Sequence, residues 1–114
     1  MDRKQFEEML KEFQAEQTYM ADDCETFDKY SKELKKVTSG LNVDKHRWYE
    51  LSTTVYAAGD WFLGVSEVTD LFSEQMGISD CGINSMFFEM ETKQTTTYVV
   101  KKEKQNELSD SKTV

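Results

Sequence analysis

Phe6, Phe13, Met20, Phe27 and Leu34 recur at strict seven-residue intervals through the first third of the chain. Met9, Leu10, Cys24, Tyr30 and Val37 fill the adjacent rows, and Lys and Glu take much of the remainder. An apolar stripe at helical period predicts a helix over residues 2–37. Lys35 and Lys36 suit its last turn, and Ser39-Gly40 ends it. A straight helix of that length spans about 50 Å, against about 30 Å for a small domain, so it either projects or breaks. Asp22-Asp23-Cys24-Glu25 has the form of an N-cap with an acid three positions on. Met20 and Phe27 stay in phase across it, which favours a continuous or gently bent helix. An antiparallel helical hairpin is the other option.

After residue 45 the period changes. Tyr49, Leu51, Val55 and Ala57 alternate with more polar neighbours and define one buried strand face. Ala58-Gly59-Asp60 supplies a turn, and Trp61, Leu63 and Val65 continue the alternation in a second strand. Gly64 within it marks a bulge or a close approach of another backbone. The stretch 69–81 is open; 73–76 reads as one helical turn closed by Gly77. Met86, Phe88 and Met90 give a third strand, Thr92-Lys93 a turn, and Thr96, Tyr98 and Val100 a β-branched fourth. The expected fold is α+β: a long N-terminal helix or helical hairpin followed by a four-stranded antiparallel β-meander. At 114 residues this is a single domain over 1–101, helical over 2–37 and β over 46–101, with a disordered polar tail at 102–114.

Charge is distributed unevenly. Residues 48–92 contain no lysine, arginine or histidine, yet carry Glu50, Asp60, Glu67, Asp70, Glu74, Asp80, Glu89 and Glu91. Residues 44–92 are net −7 out of −8 for the whole chain, while 1–43 are mixed. Both tryptophans lie in the acidic stretch, which therefore reads as a folded surface. A surface of one sign attracts the opposite sign and repels phosphates, so direct nucleic-acid binding is excluded. The plainer alternative is a solubilising surface that happens to lack bases. The sharper reading is a site for a basic partner, built from Glu50, Asp60, Glu67, Asp70, Glu74 and Asp80, with Trp61, Trp48 or Tyr56 as aromatic anchors. The heptad stripe has a plain reading too, packing on the chain's own sheet. Its alternative is a homodimer seam through Phe6, Phe13, Met20, Phe27 and Leu34.

Catalytic and metal signatures are missing. Cys24, Cys81 and His46 are the only soft ligands and none is paired at short spacing, so no metal or cofactor is expected. A lone His46 beside Lys45 and Arg47 reads as a surface or capping residue, with no nucleophile at a supporting spacing. Glu89 and Glu91 share a strand face at a separation that overlaps glycosidase geometry, but two exposed acids flanking Met90 more often serve solubility. No glycine-rich phosphate loop is present. The start, MDRKQFEEML, has no apolar core of a secretory signal, and no apolar run is long enough to span a bilayer. Two widely spaced cysteines fit reduced thiols in a cytoplasmic protein.

The segments RWYELSTTVY, GDWFLGVSEVTDLFSEQMG and FFEME, with the small size and acidity, resemble small inhibitor proteins encoded by bacteriophages. Among these the anti-CRISPR proteins are the most similar in logic, several being acidic mimics of DNA. The resemblance covers roughly residues 46–100 in character and transfers no residue role. It implies a non-enzymatic inhibitor, working in the bacterial host cytoplasm, whose acidic surface occupies a basic nucleic-acid-handling protein such as a CRISPR effector nuclease.

Overall fold

A computed structural model describes residues 1–93, 98, 100 and 101. It shows an α+β fold: an N-terminal helix followed by a four-stranded antiparallel sheet in the order β1-β2-β3-β4. The strands are β1 (Lys35–Lys45), β2 (Tyr49–Ala58), β3 (Trp61–Leu71) and β4 (Met86–Met90), and the helices are α1 (Arg3–Ala15) and α2 (Glu25–Lys29). Among the described residues no helix is long and apolar enough to cross a membrane.

Helix α1 opens on a capping box. The Asp2 carboxylate accepts from Gln5 N–H at 2.8 Å, and Asp2 N–H donates to Gln5 Oε1 at 2.8 Å. Phe6, Met9 and Phe13, at helical spacing, are fully buried. The helix then stops at Ala15, so the predicted helix over 2–37 is corrected. Glu16 turns extended, a 3-10 turn follows at Ala21–Asp23, and α2 begins at Glu25. The cause is visible in the Glu16 carboxylate. It accepts from the N–H groups of Glu25 and Thr26, both at 2.9 Å, and from the Thr26 hydroxyl. Along an unbroken helix residues 16 and 25 lie about 14 Å apart, so these bonds exist only because the chain reverses. Glu12 adds bonds from Tyr30 Oη at 2.6 Å and Lys29 Nζ at 2.7 Å.

The reversal folds the heptad stripe onto itself. Phe13 and Phe27 sit with ring centroids 5.8 Å apart, edge to face, and Phe27 meets Tyr56 at 5.2 Å. Phe6 and Phe13 belong to the core, and Phe27 and Leu34 pack against it. The dimer seam through Phe6, Phe13, Met20, Phe27 and Leu34 is therefore corrected as well: four of its five residues are spent within the chain. Only Met20, 39% exposed, is left at the surface.

Residues 35–45, the first of them read as the end of the helix, form the edge strand β1, exposed along its whole length. It supplies hydrogen-bond partners to the outer edge of β2, which would otherwise be open. Its pairing slips three times, at Lys36/Thr38, Thr38/Leu41 and Leu41/Asp44. Gly40 (φ 73°) and Asn42 (φ 50°) absorb the distortion in the left-handed region that these residue types tolerate best.

β2 and β3 join through Gly59-Asp60, with Ala58 opposite Trp61, Tyr56 opposite Leu63 and Thr54 opposite Val65. Paired residues share a face. Tyr56 and Ala58, together with Trp61, Leu63, Val65 and Phe87, therefore face the helices. The face expected to be buried on β2, Tyr49, Leu51, Val55 and Ala57, lies on the opposite side with Phe62, Gly64 and Val68, away from the helices, although Val55 and Val68 are buried there. Met86, Phe88 and Met90 lie there too; Phe87 is the β4 residue that enters the core, stacked on Phe13 at 4.6 Å. Gly64 pairs with Phe88 in regular register, so it is no bulge. It is a close approach of side chains: a Cβ there would lie 2.5 Å from the Phe88 ring and 2.6 Å from Met90 Cγ. The predicted helical turn at 73–76 is a simple turn, Met76 N–H to the Ser73 carbonyl at 3.4 Å, and the helical element is a 3-10 turn at Ile78–Cys81. The expected strand at 96–100 and the tail at 102–114 fall largely or wholly outside the described residues; Tyr98 and Val100 are exposed.

Two substitutions test this account. Gly64→Ala forces Phe88 and Met90 aside and costs about 1–2 kcal/mol in urea unfolding, the usual scale of overpacking. Glu16→Ala lowers the urea midpoint at neutral pH. The Thr26 hydroxyl, then the backbone of Thr26 and Glu25, hold the Glu16 carboxyl below its ordinary range. Its contribution is present above the unfolded carboxylate pKa and is lost as pH falls through the folded one. The difference between wild type and variant must accordingly shrink towards about pH 3.

Candidate functional site

The acidic residues of the base-free segment divide by position on the sheet. Asp60 and Trp61 stand at the β2–β3 turn, while Asp70 lies nine residues further along β3, about 30 Å away at strand rise. Trp61 is half-buried against Phe6, with ring centroids 6.1 Å apart, and the Arg3 guanidinium lies over its ring at 6.0 Å. Its ring is committed to the core and to Arg3. Glu89 is neutralised, gripped by Arg3 in a bidentate pair at 2.6 and 2.7 Å that pushes the Glu89 carboxyl below its usual range. Asp80 accepts from Gly77 N–H at 2.7 Å and ties down the turn before Ile78–Cys81.

Glu50, Glu67 and Asp70 do come together. One extra residue enters β3 between the pairs Leu51/Val68 and Glu50/Asp70. Simple alternation would put positions 67 and 70 on opposite faces. The extra residue returns Asp70 to the face of Glu67, directly across from Glu50. That is the helix-facing side, at a level the helices leave uncovered. Glu50 also faces Lys45 across β1. Glu74 is exposed in the loop that follows β3.

Glu67 is the most constrained of these carboxylates. It is half-buried, and its Oε1 accepts from Ala21 N–H at 2.7 Å, which fastens the 3-10 turn to β3. Burial pushes its pKa up; Asp22 and Asp23 push it further, and the Ala21 bond only partly opposes them. Among the described residues no lysine, arginine or histidine forms an ion pair with it. Asp22 and Asp23, seen in the sequence only as a cap, are thus part of the same acidic surface. Burial followed by Asp22 and Glu67 also raises the pKa of Tyr56. Beside Glu67 opens a pocket of about 440 Å³ lined by Met20, Glu67, Val68, Thr69, Asp70, Leu71 and Ile78. Ile78 was marked by no charge or motif, and Met20 only as part of the heptad stripe. Only the reversal at residues 16–25 and the loop after β3 bring them here.

The soft ligands occupy three environments. Cys24 is buried, bonded to Thr18 Oγ1 at 3.0 Å, with its thiol pKa raised chiefly by burial. Cys81 is partly exposed in the 3-10 turn, its Sγ 3.8 Å from the Gly77 carbonyl. His46 sits at the β1–β2 tip, 3.0 Å from Asp44 and stacked on Tyr49. Among the described residues no three His, Cys, Asp or Glu side chains are grouped so as to hold a metal ion. The same tip carries Lys45 and Arg47, the guanidinium 4.6 Å from the centre of the half-exposed Trp48 ring.

Compared with protein-family models, with curated proteins and with solved structures, the chain matches none.

Glu67→Gln separates the cost of this carboxylate from its structural bond, since the amide oxygen still accepts from Ala21. A carboxyl whose folded pKa is raised binds more protons folded than unfolded, so it subtracts stability as pH rises through that window. The variant should unfold at higher urea than wild type at about pH 7, with the gain fading below about pH 4. A lower midpoint at neutral pH would show that Glu67 stabilises the fold as an anion.

Proposed function

We propose that the chain is a non-enzymatic binding protein whose acidic surface, centred on Glu67 with Glu50, Asp70, Asp22 and Asp23, engages a basic partner. The observation that carries this reading is the half-buried Glu67, crowded by two further carboxylates and paired with no cation among the described residues. Desolvated like charges cost stability in the free protein. An arriving cation relieves that cost, so the arrangement favours the bound state over the free one. Glu74 and Asp80, on the loop after β3, extend the negative field and speed encounter. Asp60 and Trp61, at the far end of the sheet, are outside this surface.

The partner class follows from the phage-inhibitor resemblance. It is a nucleic-acid-handling protein of a bacterial cytoplasm, with a CRISPR effector nuclease as the first candidate. Carboxylates spaced over a strand end and its loop occupy the cationic groove that otherwise takes phosphates.

The test is displacement of labelled duplex DNA from a guide-loaded effector. The protein should displace the DNA, with affinity falling by about tenfold or more between about 0.05 and 0.3 M salt. The combined change of Glu67, Asp70 and Glu74 to Lys should abolish displacement. Salt-independent binding, or undiminished displacement by that variant, overturns the reading.

A further inference from the structure

The pocket beside Glu67 has a mixed character that an acidic surface alone does not explain. β4 stops pairing at Ser66 opposite Met86, so β3 beyond that point lacks a neighbouring strand on this side among the described residues. Met20 and Ile78 flank the opening as apolar walls; Val68 and Leu71 also border it, but by register their side chains belong to the opposite face of the sheet. Two carboxylates share the cavity with these walls. Each has one oxygen taken by a backbone N–H: Ala21 on Glu67 Oε1, and Leu71 on Asp70 Oδ1 at 2.9 Å. The second oxygen of each accepts no hydrogen bond from the described residues.

Ligand classes can be sorted on these features. An anion is repelled by Glu67 and Asp70. A neutral apolar group fills the walls but leaves a half-buried, unneutralised carboxylate. A bare divalent cation needs six or more oxygens, and the side chains here offer two carboxylates and Thr69, whose hydroxyl is already bonded to Ser52. A cationic head on an aliphatic stem satisfies both parts: methylenes against Met20 and Ile78, and N–H donors on the free carboxylate oxygens. We propose that this pocket receives the side chain of a lysine or arginine projecting from the basic partner. The proposal deepens the acidic-surface reading and rests on it for the source of the side chain, but its chemistry can be tested without a partner.

The probe is butylguanidinium, titrated into the full chain and followed by NMR at the methyl groups of Met20 and Ile78. Guanidinium ion and n-butanol serve as the head and stem alone. Butylguanidinium should shift both methyls saturably, and neither control should do so at the same concentration. Glu67→Gln should weaken the interaction by at least about fivefold, with its urea midpoint confirming that it is folded. Equal shifts from guanidinium ion alone, shifts unaltered in Glu67→Gln, or no shift at either methyl would overturn the pocket. Loss of the pocket with salt-dependent DNA displacement intact would leave the acidic surface standing. A working pocket without displacement would overturn the inhibitor reading instead.

Discussion

The carboxylate of Glu16 caps a helix it does not belong to, and the rest of the molecule depends on that contact. α2 is only five residues long, too short to persist in isolation. Its first turn is anchored from outside, by Glu16 on the N–H groups of Glu25 and Thr26. With the chain reversed there, Phe27 closes the core over Phe13, and Leu34 follows it. The strand β1 then starts on the correct side of the sheet to cover β2. The reversal also carries Ala21, Asp22 and Asp23 to the edge of β3, where the Ala21 amide meets Glu67. Core closure and acidic surface are consequences of a single turn in the chain.

Glu67 and Glu89 show how differently two acids on one face of the sheet can be treated. Glu89, at the helix-covered end, is matched by Arg3, and both members gain. Glu67, beyond the helices, gets one backbone amide and two more negative neighbours. A sequence optimised for stability alone would place a glutamine or a lysine partner there. On the binding reading proposed above, a partner's cation takes the place that Arg3 fills for Glu89.

The α+β class and the three strands β2, β3 and β4 were legible in the sequence; the number of elements was not, since β1 was read as the end of a helix and the strand expected at 96–100 lies largely outside the described residues. β2 and the start of β3 are read nearly to the residue, because alternation and the Gly59-Asp60 turn are local signals; the end of β3, beyond its bulge, was left open. The helix over 2–37 fails for an instructive reason. Phe6, Phe13, Phe27 and Leu34 do converge on one core, so their shared apolar character is real, but seven-residue spacing cannot distinguish a straight stripe from one folded back by Glu16. β1 was hidden because Lys35, Lys36 and Gly40 suit a helix end as well as a bulged edge strand. On β2, Tyr56 and Ala58 face the core in place of Val55 and Ala57. Both sets are apolar on alternate positions, and only pairing to β3 decides between them. At the site, Glu67 and Asp70 were legible as charge. Met20, Asp22, Asp23 and Ile78 were not, because they arrive through tertiary contacts.

Among the described residues, β1 and the part of β3 beyond Ser66 differ in a way that bears on recognition. β1 is long and fully exposed, yet it slips register three times and carries Lys35, Lys36 and Lys45. Those are the devices that keep an edge strand from pairing with another chain. β3 beyond Ser66 is free of β4 but walled by Met20 and Ile78. A partner meeting this edge encounters side chains before it can reach the backbone. Discrimination then falls to what the pocket walls and carboxylates accept, not to strand addition. On the proposed reading, a basic partner is met there by side chains and not by an added strand.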